Sequence, residues 1–80
     1  MRIEILGTGC PKCKKLYELT EEAVKETGSD SEVIKVEDIQ YIMNKGVMMT
    51  PALVIDGEVK TTGKIPKIDD IKKWIKEQES

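Results

Sequence analysis

The stretch Arg2-Ile3-Glu4-Ile5-Leu6-Gly7-Thr8-Gly9-Cys10-Pro11-Lys12-Cys13 carries a strand, its break and the start of a helix. Arg2–Leu6 alternates and is rich in branched side chains, which predicts a first strand. Gly7-Thr8-Gly9 interrupts it, and the two glycines are expected to make a tight turn that leaves Cys10 accessible. Pro11 suits the first turn of a helix, where a missing N–H is no loss. A pair of cysteines three apart therefore straddles the entrance to a helix that follows a strand.

Downstream, Cys13, Leu16, Tyr17, Thr20, Ala23, Val24 and Thr27 recur at three- and four-residue spacing. They predict one buried stripe on a helix of about four turns, stopped by Gly28. Glu32–Val36 reads as a second strand. Asp38 can cap a second helix, with Ile39, Ile42 and Met43 as its apolar residues and Gly46 at its end. Ala52–Ile55 and Glu58–Lys60 are two further strands, joined at Asp56-Gly57, a strong hairpin signal. Gly63 and Pro66 punctuate a loop. Ile68, Ile71, Trp74 and Ile75 then mark the inner face of a last helix, expected to fray over residues 77–80. The order is βαβαββα, in the α/β class, and residues 1–80 form one domain without repeats or linker.

With 39% hydrophobic and 35% charged residues among 80, the chain reads as a soluble globular protein. It has no Phe, so its core must be aliphatic around Tyr17, Tyr41 and Trp74. A net charge of −2 with interleaved signs argues against a nucleic-acid partner. No apolar run approaches the ~18 residues of a membrane span, and no signal peptide is recognisable. The expectation is a cytoplasmic protein that acts as a monomer.

In a reducing compartment two cysteines make a poor static staple, and their short loop would restrain the unfolded chain little. The position offers a chemical reason for them instead. Free N–H groups, the helix dipole and the cluster Lys12, Lys14, Lys15 all favour a thiolate at Cys10, lowering its pKa from ~8.5 towards neutrality. Cys13, one turn on and in the buried stripe, suits a resolving thiol. Cys10 would attack a disulfide and Cys13 would release the product, with Pro11 and Lys12 tuning the potential. The same pair could serve as part of a metal site. Zinc wants four ligands, and a chain with no His and no third Cys cannot supply them alone. Linear Cu(I) ligation by two thiolates stays open.

Thr50-Pro51, at the entrance of the strand Ala52–Ile55, is the second distinctive feature. It reads either as a strand-initiating proline in trans or as a cis-proline beside the dithiol. In the second case the N–H and C=O of Thr50 could pair with a substrate peptide. Gly7-Thr8-Gly9-Cys10-Pro11-Lys12-Cys13 and Met49-Thr50-Pro51-Ala52-Leu53-Val54-Ile55-Asp56-Gly57 together resemble the active site and the cis-proline hairpin of the thioredoxin/glutaredoxin superfamily. The likeness is greatest to the small proteins called redox-active disulfide protein 2, and it spans essentially the whole chain. It implies a thioredoxin-like fold, a four-stranded mixed sheet with three helices on its two faces. It also implies a thiol–disulfide oxidoreductase with Cys10 as nucleophile, Cys13 as resolving thiol and Pro51 contacting substrate. Thioredoxins proper carry Trp before the motif and Gly-Pro within it, where this chain has Gly9 and Pro11-Lys12. The Tyr and double glycine of glutaredoxins are replaced by Lys12 and by Gly63-Lys64.

The resulting expectation is reduction of a protein disulfide with Met49, Thr50 and Pro51 at the substrate site. No cofactor is needed beyond the reversible Cys10–Cys13 disulfide. A separate flavin- or ferredoxin-linked reductase would restore the dithiol, since 80 residues cannot hold both dinucleotide and flavin. The alternatives are a Cu(I) carrier, whose known folds tend to end on a strand, and a redox sensor that does not turn over. Met48 and Met49 read as gap-fillers or as a soft surface beside the dithiol. Tyr17 reads as a helix-edge residue with a wet hydroxyl, and Trp74 as a core anchor.

Overall fold

A computed structural model describes residues 1–9 and 11–79. Its elements run β1 (Arg2–Leu6), α1 (Pro11–Thr27), β2 (Glu32–Val36), α2 (Ile39–Asn44), β3 (Ala52–Ile55), β4 (Glu58–Thr62) and α3 (Ile68–Glu79). The four strands form one sheet in the order β2-β1-β3-β4. β1 pairs parallel with β2 and antiparallel with β3, and β4 closes the hairpin on β3. The expected order and mixed sheet are both present.

Strand alternation sorts the central side chains between two faces. Ile3, Ile5, Leu53 and Ile55 point to one, where Leu16 and Ala23 of α1 and Ile71 and Ile75 of α3 cover them. Leu6, Ala52 and Val54 point to the other and meet Ile42 of α2 and Val47. The first face thus carries two long helices and the second one short one. Thr20, polar but fully buried in the α1 stripe, satisfies its hydroxyl by donating to the Leu16 carbonyl at 2.7 Å.

Local chemistry explains most of the boundaries. Asp38 Oδ1 accepts from the Gln40 and Tyr41 N–H groups at 3.0 and 3.4 Å, capping α2 as expected. Asp56 and Gly57 both have positive φ, 50° and 83°, as a two-residue hairpin turn of right-handed twist requires. Three expectations need correcting. β4 continues to Thr62, because a bulge between Leu53 and Val54 skips Lys60 and lets Thr61 and Thr62 pair with Leu53 and Ala52. In α2 only Ile42 is buried, while Ile39 and Met43 are 61% and 65% exposed. A six-residue helix touches the sheet with little more than one side chain. Finally, α3 does not fray at residue 77 but runs to Glu79. Trp74 packs half-buried at the margin of the core, beside the buried Ile71 and Ile75. Among the described residues no helix is long and apolar enough to cross a membrane.

Candidate active site

The end of β1, the first turn of α1 and the entrance to β3 meet at one end of the sheet. Cys13 lies on the buried stripe of α1 at 6% exposure, as its place in the periodicity predicts, and it is disulfide-bonded. Cys10, the expected nucleophile, lies outside the described residues. Pro11 and Lys12, expected to tune the pair, are exposed on the first turn of α1 together with Lys14 and Lys15.

The two glycines of the turn have separate tasks. Gly9 takes φ +85° and has open space around it, so it serves the turn. Gly7 is buried and is needed for close approach. A methyl group there would collide with Cys13 Sγ, would lie 3.3 Å from Cys13 Cβ, and would lie 3.8 Å from Thr50 Cβ. The Cys13 sulfur therefore packs directly on the bare backbone of Gly7, and Thr50 borders the same spot. Reading Gly7 as a turn residue missed this contact, because a helix-to-strand approach leaves no local sequence signal.

Thr50 is exposed and Pro51 fully buried, and the bond between them is cis. The Pro51 carbonyl accepts from the Gly63 N–H at 2.8 Å, tying the β3 entrance to the loop before α3. No hydrogen bond joins the Thr50 backbone to another described residue. Met49 and Met48 stand beside it at 65% and 95% exposure, so neither fills a gap in the core. Cys13, Thr50, Pro51 and Met49 are thus gathered within one small region.

On the opposite flank a cleft of about 160 Å³ opens between α1 and the end of β2, lined by Gly7, Cys13, Lys14, Lys35 and Glu37 among others. Lys35 places its Nζ 4.5 Å from the centroid of the Tyr17 ring, a cation–π contact. Tyr17 is half-buried, and its phenol pKa is pushed up by burial first and by the neighbouring Glu21 carboxylate second.

One buried acid lies on the far side of the sheet. Glu4, 3% exposed, accepts the Tyr41 hydroxyl at 2.8 and 2.9 Å, and Arg2 Nε lies 3.4 Å away. This pair ties β1 to α2 and faces away from Cys13, whose cleft lies on the Ile5 side of the strand. Alternation with Ile3 and Ile5 places Glu4 on the other face of the strand but does not signal that this face is covered there.

Comparison with known proteins decides the family. The family model described as Thioredoxin domain matches residues 1–76. The thioredoxin of Methanocaldococcus jannaschii is 43% identical over 74 residues, covering 92% of this chain and 85% of that protein. The chain belongs to the thioredoxin family. A thioredoxin of Methanothermobacter thermautotrophicus is 41% identical over 75 residues, covering 94% of this chain and 97% of its own. Thioredoxin 1 of Thermosipho africanus superposes over the full length of both chains with a TM-score of 0.60 at 22% identity, which shows the fold. The protein is accordingly a thiol–disulfide oxidoreductase. The departures from thioredoxins proper at Gly9 and Pro11-Lys12 occur within this family membership.

Proposed function

We propose that the protein reduces disulfides in other proteins by means of Cys10 and Cys13. The observation that carries this reading is the meeting of Cys13 Sγ, the bare Gly7 backbone and Thr50 at one point. A sulfur seated there is shielded from solvent yet next to the exposed Thr50. An extended substrate segment could pair with that backbone and bring its disulfide to the helix entrance. Met49, Thr50 and Pro51 form the docking edge, and Pro11 and Lys12 set the potential.

The reaction transfers two electrons to the substrate. The Cys10 thiolate attacks one substrate sulfur, breaking the substrate S–S bond and releasing its partner as a thiolate. Cys13 then attacks Cys10 Sγ, forming the intramolecular disulfide and releasing the second substrate thiol. Lysines at the first turn and the helix N-terminus favour the Cys10 thiolate. A separate flavin- or ferredoxin-linked reductase returns the electrons, in the cytoplasm, and the protein works as a monomer without a bound cofactor. The βαβαββα order of the elements and the cis Thr50-Pro51 bond support redox work over Cu(I) carriage.

The test is a redox titration with mass-resolved thiol trapping, repeated on Cys13→Ser. A reversible intramolecular disulfide and mixed disulfides trapped on Cys10 in the variant are expected. Stoichiometric Cu(I) binding without reductase turnover would overturn the reading, and an ordinary thiol pKa at Cys10 would remove its electrostatic part.

A further inference from the structure

Three of the four methionines, Met43, Met48 and Met49, fall within seven residues and are 65%, 95% and 65% exposed. Met49 has a distinctive seat. A methyl group built on Gly63 would meet Met49 Cβ at 3.0 Å, Cε at 3.2 Å and Sδ at 3.5 Å. The side chain therefore lies along the Cα of Gly63 from end to end, in space that only glycine leaves open. Gly63 has φ +66° and donates its N–H to the Pro51 carbonyl. The Met49 thioether thus clasps the docking edge to the loop before α3, in parallel with that hydrogen bond.

We propose that Met49 is a site of oxidation by hydroperoxides, and that its sulfoxide weakens engagement of protein disulfides. The proposal rests on the docking role given to Met49 and Thr50 above. A sulfur lone pair attacks one peroxide oxygen. The O–O bond breaks, an S–O bond forms, and the remaining oxygen leaves as water from hydrogen peroxide or as an alcohol from an organic peroxide. The thioether is oxidised by two electrons and the peroxide reduced by two. The product is polar and chiral where the thioether was apolar and soft, so it loses its fit along Gly63 and frees the docking edge from the loop. Met48, nearly fully exposed, is an internal control. It reacts faster, and its oxidation disturbs nothing.

The test treats the full chain in its disulfide form with hydrogen peroxide, which spares the cysteines, and follows each methionine by peptide mapping. After removal of peroxide and reduction of the dithiol, kcat and KM are measured on a disulfide-bonded test protein and on a small aromatic disulfide. The rise in KM for the protein substrate is expected to track Met49 sulfoxide and to lag Met48 sulfoxide. Its size should be about fourfold, the scale of one methylene of lost apolar contact. The small disulfide should be unaffected. The ratio of treated to untreated activity should stay near one in Met49→Leu and fall in Met48→Leu as in the parent. Independently of activity, the Gly63 amide resonance should shift as Met49 is oxidised. A loss that follows Met48, or Met49 sulfoxide with unchanged KM, overturns the proposal. An unmoved Gly63 resonance overturns the clasp itself. If the untreated protein fails to reduce the test protein, the docking reading fails, and the Gly63 shift still reports on the contact.

Discussion

The two faces of the sheet are built to different standards. On the α1/α3 face an aliphatic cluster runs from Ile3, Ile5, Leu53 and Ile55 to Leu16, Ala23, Ile71 and Ile75, and the one buried polar side chain, Thr20, bonds within its own helix. On the α2 face a six-residue helix contributes one buried side chain, and the sheet also carries a buried carboxylate, Glu4, held by Tyr41. The heavily packed face holds the helix that positions Cys13. The thinly packed face belongs to the half of the chain that leads, through Val47, Met48 and Met49, to the exposed Thr50 and the docking edge proposed there. The denser packing thus lies behind the sulfur, and the thinner packing behind the segment proposed to meet a substrate. Local opening is expected to follow the same division, since segments with few buried contacts open at lower free energy.

The largest test of this division is a pair of truncations. Leu16→Ala opens a cavity in the middle of the two-helix layer and should lose about 4 kcal/mol, towards the top of the range for such changes. Ile42→Ala, at the margin of a layer that can collapse, should lose about 2 kcal/mol. Denaturant melts of the two variants decide it. Equal losses would mean that the α2 face is as tightly packed as the other, and the distinction would fail.

Next comes the point where α1 meets the sheet. Gly7→Ala drives a methyl group into Cys13 Sγ. Overpacking of this kind destabilises by about 1–3 kcal/mol, and here the displaced atom is the sulfur proposed to resolve the mixed disulfide. The variant should therefore accumulate mixed disulfides that the parent clears, measurable by trapping during turnover. Gly9→Ala is the comparison. It strains a positive-φ turn but meets no neighbour, so it should lose stability without slowing resolution.

How far these features could be read in advance depends on how local their causes are. β1, α1, β2 and β3 were legible to the residue because alternation, helical spacing and the glycines that end them are written in adjacent positions. The Asp56-Gly57 turn was equally plain. The end of β4 was not, because the bulge that skips Lys60 is set by the partner strand. Ile39 and Met43 looked like core residues by spacing, but a helix of six residues is too short to bury a stripe. At the site, the Cys13 position on the buried stripe followed from periodicity. The packing of Cys13 on Gly7, the Met49 seat on Gly63 and the Glu4–Tyr41 pair did not, because each joins residues distant in sequence. An acid in an alternating strand ordinarily faces water, and nothing near Glu4 signals that Tyr41 will cover it.

The Glu4–Tyr41 pair gives a smaller test of the thin face. Tyr41→Phe removes the donor to a buried carboxylate and leaves Arg2 Nε at 3.4 Å as the charged group beside it. Loss of a hydrogen bond to a charged group is worth about 1.5–3 kcal/mol, and solvent reaching Glu4 from the Arg2 side should hold the loss near the lower end. Replacing both partners, as Glu4→Leu with Tyr41→Phe, should recover most of it, because an apolar pair leaves nothing unsatisfied. A double variant no more stable than Tyr41→Phe alone would show that the pair contributes through shape and not through the hydrogen bond.

The smallest effect is the pH dependence of the same contact. The hydrogen bond to Glu4, then burial and the Glu4 charge, hold the Tyr41 phenol above its ordinary value of 10.0, with Arg2 opposing. A raised acid favours folding while it stays protonated. Its contribution is complete below pH 10.0, where the unfolded chain also keeps the proton. It is lost as the pH climbs beyond that value and through the higher folded one. Tyr17 and Lys72 are raised as well, by burial and by the hydrogen bond to Glu26 respectively, so the parent should lose stability in strong alkali from several sources at once. The difference between parent and Tyr41→Phe isolates one of them. It should be flat from neutral pH to about 9 and shrink above 10 as the unfolded phenol begins to ionise. Denaturant midpoints across that range, with phenolate absorbance recorded on the folded protein, measure both halves of the cycle. A difference that stays constant through strong alkali would mean that the two-helix face alone sets alkaline stability and that the buried carboxylate has no part in it.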